Sequence, residues 1–344
     1  VEAMLARMEA NRSTWQDWHL RADALRQVRA AEAPPQHTRW WVDHLVAAAI
    51  ARSVPITKTS DGVEEPAPLR RANGDSVYYV AGSQLFTSGR VLHAEQRLVT
   101  AAGQHGGMVA DPTAIDLALL ECAANRVQLN PGQVLLVREM ATSGARVQLA
   151  IAPAGSGKTT AMDALSMAWT ASGGNVIGLA PSAAAAAQLG TQMEGHHDTL
   201  AKLVWDITPG LGDPTSWNQR IGSKTLVIID EAGMADTISL DHAVTYILQR
   251  GGSVRLIGDD QQLAAIGAGG VLRDIQAHHG ALRLTELLRF TDPAEGSASL
   301  ALREGQPAAL GFYLDQHRIH VGDETTMADD LFDAWTTDRN NGRD

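Results

Sequence analysis

Residues 152 to 160, APAGSGKTT, join an apolar run, VQLAIAP, to a helical pattern, AMDALSMAWTAS. The order strand, glycine-bearing turn, lysine, hydroxyl, helix is that of a phosphate-binding loop. Gly155 and Gly157 let backbone N–H groups converge on an anion, and the start of the following helix adds partial positive charge. Lys158 reaches the β and γ phosphates of a triphosphate, and the Thr159 hydroxyl is placed to ligate magnesium. Ala154, Gly155, Ser156, Gly157, Lys158, Thr159 and Thr160 are therefore the expected cradle for ATP. Ala152 stands where the usual pattern has its first glycine, a replacement of one small residue by another.

A second stretch, TLVIIDEAGM, places two carboxylates at the end of an apolar run. At the tip of a buried strand such a pair sits beside a metal–phosphate complex. Asp230 would hold Mg2+ through its water shell, and Glu231 would polarise the attacking water as general base. On its own the Asp-Glu pair could equally cap the next helix; the phosphate loop upstream favours the chemical reading. A third apolar run with polar residues at its end, RLIGDDQQLAAIG, follows.

The elements that must hold these groups are legible from residue 129 onward. Asn130 is an N-cap with Pro131 at the first helical position and Gly144 as a stop, so NPGQVLLVREMATSG reads as a short capped helix. VQLAIAP, NVIGLAPS, TLVIIDEA, SVRLIGDD and ALRLTELL are short buried strands separated by helical or loop segments. Repeated buried strands with intervening helices imply an α/β fold: a parallel sheet covered by helices on both faces, with its ligand site at the carboxyl ends of the strands.

The first part of the chain is different. Up to about Gly62 it is mainly helical, and SVPITKTSDGVEEPAP reads as a linker. SVYYVAGSQLFTS reads as a small β-hairpin around Ala81 and Gly82. Thr87 or Ser88 then caps a helix through Val91, Leu92, Glu95, Leu98 and Val99, and AIDLALLECAAN forms another. Trp15, Trp18, Trp40 and Trp41 are at helical spacing and read as core residues rather than base-stacking platforms.

Composition narrows the partners. The 344 residues are 44% hydrophobic and 19% charged, a globular balance. No long uncharged apolar stretch and no signal-peptide pattern is visible, so a cytoplasmic protein with no membrane segment is expected. The single cysteine, Cys122, excludes an internal disulfide and a cysteine-held metal. A net charge of −11 argues against nonspecific duplex binding. It leaves room for a narrow single-strand groove built from backbone N–H groups, hydroxyls and aromatics.

With these motifs in order, the chain resembles superfamily 1 DNA helicases, and within them the RecD-like branch. The third run resembles the G-D-x-x-Q-L motif, with Gly258, Asp259, Gln262 and Leu263 on the pattern positions. LNPGQ resembles the motif upstream of the phosphate loop, GLAPSAAAAAQL and DTLAKLV resemble DNA-contacting motifs, and LTELLRF resembles the start of motif IV. APSAAAAAQL, DTLAKL, IIDEAGM, LTELLRFTDP and SLALREGQPAALGFY together look most like the helicase region of MobF or TraA-type conjugative relaxases. The likeness is firm over residues 129 to 310 and looser before them.

This resemblance implies a RecA-like domain that couples ATP hydrolysis to 5′-to-3′ movement on single-stranded DNA, with other conjugation proteins as further partners. It assigns adenine to Gln133, γ-phosphate sensing to Gln262, an arginine finger to Arg289, and DNA contacts to Pro181, Ser182 and Thr199. The expected organisation is a helical segment over 1–62, a hairpin and helices over 63–128, the motor over 129–310, and the start of a truncated second motor domain or tail over 311–344. A relaxase's histidine cluster and nucleophilic tyrosines are not found. His196 with His197, and His278 with His279, are adjacent pairs that read as solvated or packing residues. The alternatives are a nucleotide- or DNA-binding module with little turnover, and a P-loop ATPase that does not act on nucleic acid.

Overall fold

Alternating hydrophobicity along short strands, and one apolar stripe on each helix, set the architecture. The structure, a computed structural model, describes residues 1–56, 66–71, 84–213, 215–259 and 270–342. It divides into two compact units, Val1–Thr285 and Glu286–Asp344. The first opens with helices α1 (Glu2–Asn11), α2 (Asp17–Ala30) and α3 (Pro35–Ile50). They bury Met4, Met8, Trp15, Leu20 and Val46 with Phe86 in a small core of their own.

Strand β1 (Val54–Pro55) pairs antiparallel with β2 (Phe86–Thr87), which gives the small β element expected ahead of the motor. Its first strand, however, comes from the stretch read as a linker. The expected turn at Ala81 and Gly82 lies outside the described residues. The Phe86 backbone also exchanges hydrogen bonds with Trp15 at 2.8 Å, so burying both rings in one cluster draws these backbones together. Of the tryptophans expected in a core, Trp15 is fully buried, but Trp18, Trp40 and Trp41 are 47%, 55% and 44% exposed. Helical spacing defines a face without deciding whether anything covers it.

Helices α4 (Gly89–Ala102), α5 (Pro112–Ala124) and α6 (Pro131–Thr142) lead into the sheet. Their caps are the ones the sequence marks: Ser88, Asp111 and Asn130 each accept from a backbone N–H of the first turn. The remaining elements of the first unit alternate: β3 (Val147–Ile151), α7 (Lys158–Ala171), β4 (Asn175–Ala180), α8 (Ala183–Gln192), β5 (His196–Thr199), α9 (Leu200–Ile207), β6 (Thr225–Ile229), α10 (Thr237–Gln249), β7 (Ser253–Gly258), α11 (Val271–His279) and β8 (Leu282–Arg283). All six strands from β3 onward are parallel, in the order β5-β4-β6-β7-β3-β8.

Because side chains alternate along a strand, each strand feeds both faces. Val147, Leu149 and Ile151 pack with α4, α9, α10 and α11. Ala150 and Ala152 face α5, α6, α7 and α8 instead. The helix leaving β3 and the helix leaving β6 thus lie on opposite faces, which opens a crevice at the carboxyl ends between them. Helix α7 is anchored by the fully buried Trp169, whose Nε1 donates to the Lys224 carbonyl at 3.0 Å. Gly174 lies against that ring, where a Cβ would sit 2.5 Å from it.

The second unit contains α12 (Pro293–Arg303), α13 (Leu310–Asp315) and α14 (Glu324–Asn340). Arg318 donates to Glu295 at 2.6 Å within it. Leu331, Phe332 and Trp335 of α14 are exposed.

Candidate nucleotide site

The phosphate loop starts as sheet and ends as helix. The Ala152 N–H donates to the Gly258 carbonyl at 2.8 Å, extending the ladder between β3 and β7 by one bond. The chain then turns sharply, with the Ser156 N–H on the Pro153 carbonyl at 3.1 Å. Gly155 and Gly157 take φ of 83° and 73°, a left-handed conformation that a Cβ would strain. Lys158 is the first residue of α7, where backbone N–H groups have no partner inside the helix. Thr159 and Thr160 follow in the same turn, half-buried. Ser156 is fully buried and Ala154 exposed.

Across the end of β7, β6 delivers the acid pair. The Asp230 N–H donates to the Leu179 carbonyl of β4 at 2.9 Å, which ties the residue to the sheet. Its Oδ1 accepts from the Glu231 N–H at 2.9 Å and lies 3.3 Å from Lys158 Nζ. Lys158 Nζ also donates to Glu231 Oε1. Burial draws the Lys158 ammonium down, but the charge of Asp230 and the hydrogen bond to Glu231 outweigh it and hold the group above the usual lysine value. The site is therefore charge-paired at neutral pH.

Glu231 has φ of 51°, left-handed without being glycine. Such a conformation costs roughly 1–2 kcal/mol. Strain of this kind gathers at functional sites, and here it turns the Glu231 side chain onto Lys158. Gly258 ends β7 beside this turn, and a Cβ there would meet the Gly233 backbone nitrogen at 3.3 Å. The glycine of the third motif thus lets the turn after β6 lie against β7. Asp259 next to it is 7% exposed.

Gln133 approaches the loop from α6. Its Oε1 accepts from the Asn130 N–H and Asn130 Oδ1 accepts from the Gln133 N–H, both at 2.8 Å, a reciprocal capping box. Its Nε2 donates to the Gly157 carbonyl at 3.0 Å. The resemblance gave this amide to adenine; the structure engages both its ends with the protein's own backbone.

Pro181, Ser182 and Thr199 come together at the far edge of the sheet, where Ala180 of β4 is in register with Thr199 of β5. Ser182 Oγ accepts from the Ala185 N–H at 3.2 Å, and Thr199 Oγ1 accepts from the Lys202 N–H at 3.1 Å. Each hydroxyl caps a helix and keeps its own proton for another acceptor. Gln262 lies outside the described residues. Arg289 is in the second unit, exposed, ahead of α12.

His197 packs over Gly178, where a Cβ would come 2.5 Å from its ring, and His196 lies against Trp217 with ring centroids 4.5 Å apart. Among the described residues no three His, Cys, Asp or Glu side chains group to hold a metal ion, and no helix is long and apolar enough to cross a membrane. A magnesium ion carried with a nucleotide needs no such group, since phosphate oxygens supply much of its shell. Thr159 and Asp230, a hydroxyl and a carboxylate on opposite sides of the loop, are a fitting donor set for it.

Sequence reasoning overlooked Arg255 of β7, which is fully buried. Its guanidinium donates to the carbonyls of Met140 at 2.7 and 3.1 Å, and to those of Ala145 and Val254 at 3.0 Å. It holds the end of α6, the helix that carries Gln133. The available signal was a lone charge inside the apolar run SVRLIG.

A loop whose lysine is matched to an acid pair two strands away, at the carboxyl edge of a parallel sheet, is the nucleotide site of a P-loop nucleoside triphosphatase. A family profile described as an AAA domain matches residues 128–324, and the chain belongs to that family. It is 28% identical over 267 residues to "Conjugal transfer protein TraA" of Agrobacterium fabrum, covering 75% of this chain and 21% of that one. A protein of the same description from Rhizobium radiobacter is 30% identical over 224 residues, covering 65% and 19%. The chain thus spans about a fifth of the length of these curated relatives. Among solved structures, unliganded Pif1 from Bacteroides sp. is similar at 23% identity and a TM-score of 0.35, covering 52% of this chain and 46% of that one. Pif1 helicase from Candida albicans is similar at 18% and 0.41, covering 57% and 49%. The kinship with TraA-type proteins drawn from the motifs is borne out, as is the parallel sheet clothed in helices.

Proposed function

We propose that this chain is the ATP-hydrolysing motor domain of a DNA helicase, working within a conjugative DNA-transfer protein. The observation that carries the reading is the meeting of Lys158 with Asp230 and Glu231 at the mouth of the phosphate loop. Lys158 and the first-turn N–H groups of α7 would bind the triphosphate. Thr159 and Asp230 would hold Mg2+, which when bound spreads charge off the reacting phosphate. Glu231 would take the proton of the attacking water. Gln262 would sense the γ-phosphate, and Arg289 would complete the site as an arginine finger.

Single-stranded DNA would run past the carboxyl ends of β4 and β5, with the hydroxyls of Ser182 and Thr199 donating to its phosphates beside Pro181. The kinship with TraA-type proteins supports DNA as the track and 5′-to-3′ as the direction. We assign residues 129–310 to the motor, 1–62 and 63–128 to a helical segment and its connection, and 311–344 to the start of a second lobe or tail. Phosphate release measured with and without single-stranded DNA tests the reading. Hydrolysis stimulated at least about tenfold by the strand is expected of a coupled motor; unstimulated hydrolysis would point to an ATPase that does not act on nucleic acid.

A further inference from the structure

Gln133 is 1% exposed and is the third residue of α6, and neither end of its carboxamide is turned to solvent. The oxygen accepts from the Asn130 N–H, closing the helix start. The nitrogen donates to the Gly157 carbonyl at 3.0 Å and lies 3.4 Å from that of Ser156. Reading an adenine edge takes a donor and an acceptor presented side by side. Here they hold two separate pieces of backbone, and presenting them to a base would break the capping box and release the loop together.

We propose that Gln133 is a positioning residue of the phosphate loop rather than a reader of the base. It acts through Gly157, whose left-handed turn, φ 73°, sets the direction in which α7 and Lys158 meet the phosphates. Gln133 in turn is held by α6, whose far end is fixed by Arg255. The triphosphate chain, not the purine, is what this side chain serves. The inference rests on the proposed nucleotide site.

Calorimetry of the full chain with Mg-ATP, Mg-GTP and Mg-tripolyphosphate tests it, because the last has no base. Gln133→Ala is expected to weaken all three by the same factor, about tenfold for one buried hydrogen bond. Gln133→Glu keeps an oxygen for the Asn130 N–H, and so the helix start, but loses the donor to Gly157. It should melt with the parent yet show the same uniform loss, while amide exchange quickens at Gly157, Lys158 and Thr159 and is unchanged in β7. A loss confined to ATP with tripolyphosphate at parental affinity overturns the proposal in favour of base reading. Parental binding of all three by either variant overturns it too. A parent that binds neither ATP nor tripolyphosphate sinks the nucleotide site itself, a result distinct from any pattern among variants.

Discussion

Lys158 Nζ stands 3.3 Å from Asp230 Oδ1 although the two residues follow strands that are not neighbours, with β7 running between β3 and β6. The lysine reaches over the end of β7, where Gly258 leaves the space, and its charge offsets that of the acid pair. With side chains only 14%, 15% and 24% exposed, Lys158, Asp230 and Glu231 form a paired group in a partly desolvated cleft. Attraction there is stronger than at an open surface.

Lys158→Ala removes the one charge that faces both carboxylates. Affinity for Mg-ATP should fall by roughly 10- to 100-fold, the worth of one or more charge-assisted hydrogen bonds. Fluorescence titration with a labelled nucleotide reads this directly, and parental affinity in the variant would remove the loop from the site.

Glu231→Gln keeps a side chain of the same length against Lys158 but cannot take up a proton. Nucleotide should still bind, while hydrolysis drops by about 100-fold or more, as loss of a general base entails. Single-turnover phosphate release separates these effects; equal rates in parent and variant would exclude Glu231 as the base.

Burial, then the neighbouring His196, holds the His197 imidazole below its usual value of 6.5, and burial lowers His196 as well. Above about pH 6.5 both rings are neutral in the folded and unfolded chains and contribute nothing to pH dependence. Below it the unfolded chain takes up protons first, so stability should fall as pH drops. Urea midpoints at successive pH values should show that slope, and His197→Gln should flatten it. An unchanged slope in the variant would place the sensitivity elsewhere.

Arg255→Met would leave the carbonyls of Met140 and Ala145 without their guanidinium partner. Burial pushes that guanidinium down to about 9, still charged at neutral pH, and the carbonyls favour the charged form. The variant should lose roughly 2–4 kcal/mol in denaturant unfolding, from several unsatisfied buried acceptors. A variant as stable as the parent would mean that α6 is held by its apolar contacts alone.

The chemistry of this chain was written locally. The phosphate loop, the acid pair and the caps at Ser88 and Asn130 each depend on residues adjacent in sequence, whose backbone needs and hydrogen bonds are met within one turn. The same holds for the strands VQLAI, NVIGLA, TLVII and SVRLIG, apolar because both faces are covered. Strand β5 was not legible, since HHDT has no strand pattern. It forms because Gly178 leaves room for the His197 ring and β4 offers an open edge.

What the sequence determined alone was therefore the set of reactive groups and the kind of sheet that carries them. Tertiary structure decided which groups meet. It brought Lys158 to an acid pair two strands away, turned the Gln133 amide inward onto Gly157, buried Arg255, and left Trp18, Trp40 and Trp41 exposed while hiding Trp15. The physical reason is that local pattern fixes the face a side chain takes, whereas its partner is fixed by the order of strands and the packing between layers, which no short stretch of chain contains.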